Sequence, residues 1–145
     1  SVMFLFSANT GQPLLPLHQV ASGGEMSRFV LALKTIFSAA NPSKIFVFDE
    51  IDSGVSGRIS KAIALLLKKL SVNSQVLCVT HQPIVAAASD QHFMVEKFIQ
   101  NGHTYSKVQK LIDLSDRERE LAELAGGDDL DAKIYAASLL EQKAA

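Results

Sequence analysis

At 145 residues, 48% hydrophobic and 20% charged, the chain has the size and apolar content of one compact domain with a real core. Its formal net charge of -1 excludes a surface that grips nucleic acid by bulk positive charge, which needs clustered Lys and Arg. The single cysteine, Cys78, excludes an intrachain disulfide and a four-cysteine zinc site and points to a reducing cytoplasm; no apolar run reaches the ~18 residues of a membrane span, and no export signal opens the sequence.

In chain order, Val2 to Phe6 reads as a strand, and Asn9 to Pro13 supplies turn residues before Leu14, Leu15 and Leu17. From Met26, the residues Met26, Phe29, Val30, Leu33 and Phe37 recur at helical spacing until Asn41-Pro42 breaks the pattern. Lys44 to Asp49 is a short apolar run ending in acid, the pattern of a strand buried on both faces of a parallel sheet. A second helix places Ile59, Ile63, Leu66, Leu67 and Leu70 on one face, Gln75 to Thr80 forms another buried strand, and Ile84 to Ala88 a short helix. Past Asp90, His92 to Ile99 and Thr104 to Leu111 flank Gln100-Asn101-Gly102-His103, a hairpin with an Asn-Gly turn. Ser115 to Glu118 reads as a capping box for a helix ended by Gly126-Gly127, and a last helix runs from about Asp128 to Glu141. Alternating helices and strands predict an α/β fold with a mainly parallel sheet, followed by the hairpin and C-terminal helices, in one domain over residues 1–145.

The chemistry gathers where the two apolar strands end, since open α/β sheets bind ligands at the carboxyl ends of their strands. Asp49 is placed to hold a magnesium ion through water, and Glu50 to polarise an attacking water; two acids that merely solvate a strand end give the same local pattern. Ser22 and Glu25 are spaced as a capping box, yet such a box does not need Gly23 and Gly24 between them. Two glycines strip side chains from a helix N-terminus and bare N–H groups where the dipole favours an anion such as phosphate. Ile51 to Gly57 is a tight polar loop entering the second helix, with Ser56 as its candidate cap. His81 follows the second buried strand, and His18, His92 and His103 show no metal-ligand spacing with it.

Together these pieces resemble the ABC ATPase superfamily: a signature motif at Ala21 to Glu25, a Walker B strand at Ile45 to Glu50, a D-loop at Ile51 to Gly54 and a switch histidine at His81. Within it, VASGGEMSR (Val20 to Arg28), FDEIDSGVSGR (Phe48 to Arg58) and THQPIVAAASDQHFMVEK (Thr80 to Lys97) resemble the RecN family of DNA-repair proteins, relatives of the SMC proteins. The resemblance covers nearly the whole chain and implies the C-terminal lobe of a P-loop ATPase head, cytoplasmic and nucleoid-associated on DNA damage, in recombinational repair of double-strand breaks. It implies two heads sandwiching ATP as a homodimer, with Ser22, Gly23, Gly24 and Glu25 at the γ-phosphate bound on the opposite head. Asp49 then positions Mg2+, Glu50 orients or activates water, Asp52 serves the dimer interface and His81 senses the γ-phosphate. DNA is expected to be held by other parts of the full protein, with no membrane partner.

The sequence contains no GxxxxGK[ST], so the loop and lysine that cradle phosphates are expected on an N-terminal half outside this chain. Alone, the chain is expected to hydrolyse no ATP. Two alternatives stand beside this reading: a head of another SMC-like or transporter ATPase, and a non-enzymatic α/β interaction module.

Overall fold

A computed structural model describes residues 3–7, 11, 13–20, 23–37, 45–127 and 129–144, which fall into two compact units, Ser1–Thr80 and His81–Ala145. The architecture is mixed α/β, as the sequence predicts. Among the described residues the sheet is three two-stranded pieces, of which one is parallel.

The first unit opens on β1 (Leu5–Phe6) paired antiparallel with β2 (Leu15–Pro16), a shorter strand than the expected Val2 to Phe6. Pro16 has no N–H to extend the ladder; the next residue, Leu17, donates its N–H to Phe4 O at 3.0 Å and starts α1 (Leu17–Val20). The helix α2 (Gly23–Phe37) follows, with Phe29 meeting Phe4 edge-on at 5.8 Å between ring centroids. Its most buried positions are Leu31 and Thr35, one turn apart and joined by a 2.8 Å bond from Thr35 Oγ1 to Leu31 O, whereas Phe37 is exposed. Apolar residues run almost round this helix, and α3 covers only part of the circumference.

β3 (Ile45–Asp49) and β4 (Gln75–Val79) pair in parallel, Ile45 opposite Gln75 and Asp49 opposite Val79. Parallel neighbours need a crossover, and α3 (Gly57–Ser71) supplies it. Ser56 is its N-cap residue in extended conformation, without a side-chain bond; its carbonyl accepts from Ile59 N and Ser60 N. Ile63, Leu67 and Leu70 are buried as expected, while Ile59 at the first turn is exposed. The strands differ from expectation in one respect. Phe46, Phe48, Val76 and Cys78 face inward to varying depth, but Ile45 (66% exposed), Val47 (68%), Leu77 (47%) and Val79 (62%) lie bare, because the described residues of this unit cover one face of the pair alone. Phe46 stacks near Phe48 and lies under the Lys34 ammonium, 5.6 Å from its ring centroid, tying α2 to β3.

The second unit begins with α4 (Pro83–Ala87), whose Pro83 sits in the first turn, where its missing N–H costs nothing. β5 (His92–Gln100) and β6 (His103–Leu111) form the expected hairpin; Asn101 (φ 52) and Gly102 (φ 76) both take the positive angles of a tight two-residue turn. α5 (Leu114–Ala125) starts before the expected capping box: Asp113 is the extended N-cap residue and its carbonyl receives Arg117 N, so Ser115 is already helical. Gly126 (φ 131) ends α5 as expected. α6 (Leu130–Ala144) is capped by Asp129, whose Oδ1 accepts from Ala132 N at 2.8 Å, and runs past the expected end at Glu141; Asp128 lies outside the described residues. Ala86, Ala87, Leu121, Ala122, Ala132, Ala136 and Leu139 form the core, small residues letting α4, α5 and α6 approach closely.

Candidate functional site

β3 delivers Asp49 and Glu50 to the carboxyl end of the parallel pair, and both are exposed. Glu50 holds φ 52, the left-handed region that a residue with a side chain enters at a cost. The turn beyond it is fastened in three ways. Ser53 N donates to Glu50 O at 3.0 Å, Ile51 is fully buried, and Asp52, also fully buried, accepts a hydrogen bond at Oδ2 from Thr80 Oγ1 at the end of β4. The Asp52 carboxylate therefore points into the unit and ties the loop to the neighbouring strand end.

α2 brings its N-terminus to the same loop. A Cβ on Gly24 would stand 3.0 Å from Arg28 Nη1, 3.5 Å from Ser53 O and 3.7 Å from Glu50 O, so the absence of a side chain lets helix and loop meet. Gly23 faces open space. Arg28 Nη1 donates to Ile51 O at 3.3 Å and Ser53 O at 3.4 Å, pinning loop to helix. Neither Arg28 nor Thr80 stood out as a functional residue in the sequence. The signal for Arg28 is its place four residues after Gly24, on the same helix face; Thr80 gave none beyond being polar at a strand end.

Of the residues singled out above, the structure brings Gly24, Glu50 and Asp52 into one local assembly, with Gly23, Glu25 and Asp49 beside them in sequence. Ser22 lies outside the described residues. His81 belongs to the second unit, two residues before α4; it is exposed, with Gln82 Nε2 at 3.4 Å from its Nε2. Cys78 is inert by environment, because burial, and then the charges of Asp52 and Asp49, push its thiol up to about 12.

The donor set fits a cation shared with a ligand. Among the described residues no group of three or more His, Cys, Asp or Glu side chains could enclose a metal, while one exposed strand-end carboxylate is what magnesium needs when phosphates supply the remaining oxygens.

A parallel strand pair ending in adjacent acids, closed by a loop against a glycine-opened helix, defines an ATPase-type lobe, and the chain belongs to the family described as "AAA domain, putative AbiEii toxin, Type IV TA system", which it matches over residues 3–87. More particularly it is similar to the DNA repair protein RecN of Synechocystis sp., 48% identical over 99% of this chain and 27% of that protein, so the resemblance to RecN proteins holds. The chain spans about a quarter of the length of the curated relatives it matches. Two solved structures share the fold. One comes from work on ATP-driven dimerization and DNA-stimulated activation of SMC ATPases (25% identity, TM-score 0.53, 82% of this chain and 70% of that one). The other is an Smc head domain with a coiled coil and joint derived from Pyrococcus yayanosii (26% identity, TM-score 0.60, 79% and 21%).

Proposed function

We propose that this chain is the signature-bearing lobe of a RecN-type repair ATPase, completed by a P-loop half and working against a second copy with ATP held between the two. The observation that carries the reading is the seating of Gly24 against the Glu50–Ser53 loop, with Arg28 bonded across the contact. The helix end suited to a phosphate and the carboxylate suited to a water thereby belong to one local assembly. Family membership and the names carried by the similar proteins support the same choice.

In this reading the N–H groups at Gly23 and Gly24, with Ser22 and Glu25 around them, meet the γ-phosphate presented by the opposite head, assisted by the helix dipole. Glu50 orients the attacking water and accepts its proton, and its strained backbone holds the carboxylate at the strand end. Asp49 holds Mg2+, which when bound neutralises phosphate charge. Asp52 serves the interface through the loop it anchors to Thr80, and His81 reads the γ-phosphate. Catalysis is then mainly positioning and charge stabilisation. The work belongs to the repair of DNA double-strand breaks in the bacterial cytoplasm, with DNA held by other parts of the full protein. No helix among the described residues is long and apolar enough to cross a membrane.

The test joins the chain to a P-loop half and compares wild type with Glu50→Gln. Magnesium-dependent hydrolysis is expected to fall on the order of 10²-fold or more while ATP-dependent association of heads persists. Unchanged hydrolysis in the variant would remove Glu50 from the mechanism; a folded complex that never hydrolyses ATP would leave an interaction module.

A further inference from the structure

We infer that Arg117 is a positioning residue for His81, acting through α4; the inference rests on the proposed role of His81 at the γ-phosphate. α4 has five residues, far below the length at which a helix sustains itself, so its placement depends on what holds it. One side is held by packing: Val85, Ala86 and Ala87 are buried, the two alanines within the core that α5 and α6 build. The C-terminal end is held by Arg117 of α5, whose Nη2 donates to Ser89 O at 3.1 Å and Ala87 O at 3.4 Å and lies 3.5 Å from Ser89 Oγ. Ser89 Oγ in turn donates to Ala86 O at 2.7 Å. A guanidinium at this end also meets the negative pole of the helix. At the other end Gln82 O accepts from Val85 N and Ala86 N, at 3.0 and 3.1 Å, and His81 is the residue before Gln82. A helix of this length spans ~7.5 Å, so the clamp and the histidine sit at opposite ends of one short rod. The α5 helix thus sets the histidine through a side chain bonded at the far end of α4.

The experiment is a double-mutant cycle on ATP turnover, with the chain joined to a P-loop half: Arg117→Met, His81→Ala and both together, with Arg117→Lys as the conservative variant. Arg117→Met is expected to lower kcat about tenfold with KM for ATP within about twofold, and to add little once His81 is Ala. Lys, with a donor still in reach of the carbonyls, is expected to recover part of the loss. The inference is overturned if Arg117→Met leaves kcat unchanged, or lowers it equally in both backgrounds, the outcome of a merely structural role. If Arg117→Met does not fold, Arg117→Lys carries the cycle under the same criteria. Should His81→Ala alone keep full turnover, the assignment of His81 fails, and the inference fails with it; a loss in His81→Ala with none at Arg117 sinks only the inference.

Discussion

Glycines 23 and 24 are adjacent in sequence but occupy different surroundings. Space around Gly23 is open, so Gly23→Ala is expected to leave the thermal midpoint unchanged and to act, if at all, on what approaches from outside. At Gly24 a methyl group displaces the Arg28 guanidinium, and Gly24→Ala is expected to lower ATP turnover of the completed head several-fold while stability changes by less than ~1 kcal/mol. Steady-state kinetics and a melting curve on both variants check this; equal behaviour of the two would remove the packing argument. His92 offers a pH test. It is buried, its Nδ1 has no hydrogen-bond partner among the described residues, and burial, then Arg117, hold its pKa below the ordinary 6.5. The unfolded chain therefore binds a proton that the folded chain refuses once the pH falls below about 6.5, so stability is lost downward from there until the folded pKa is reached and is intact above it. One such group gives a slope of at most ~1.4 kcal/mol per pH unit. Urea titrations between pH 7.5 and 5.5 are expected to show the decline, and His92→Phe to flatten it.

At the scale of elements, the helices of the second unit pack on one shared core. Leu121 is fully buried at the junction of α4, α5 and α6. Leu121→Ala is expected to cost about 2–5 kcal/mol, read as a fall in the unfolding midpoint, because the surrounding alanines are too small to close the cavity. The hairpin and the second helix were legible in the sequence, since an Asn-Gly turn and a helical apolar face are local signals. The start of α5 was not: Ser115 to Glu118 fits a capping box, but the chain turns helical at Leu114, after Asp113. The depth of the strands was misread for a different reason. An apolar run such as Ile45 to Phe48 declares two faces fit for burial, while burial itself depends on what covers each face.

In the proposed reading, the whole molecule carries half of a composite site. Phosphates need a cradle, and the sequence contains no GxxxxGK[ST], so the purified chain by itself is expected to show no magnesium-dependent ATP turnover above background. Turnover by the chain alone would overturn the composite site; turnover restored by a P-loop half added in trans would support it. The bare faces of β3 and β4 predict that the same addition raises the unfolding midpoint of the first unit, by covering Val47 and Leu77.

The sequence by itself determined the α/β class and the order of elements from α2 onward, and it singled out the residues proposed here for phosphate, magnesium and water, because periodicity, turn chemistry and adjacent acids are written locally; β2 and α1 gave no such local signal. Only the tertiary structure decided which of them meet. Gly24 lies against the Glu50–Ser53 loop, Arg28 bonds across that contact, Asp52 turns inward to Thr80, and Arg117 clamps the helix behind His81. Each joins residues distant along the chain, and no local pattern specifies such pairs: they are chosen by how the helices pack and by where a buried carboxylate or guanidinium finds its hydrogen bonds.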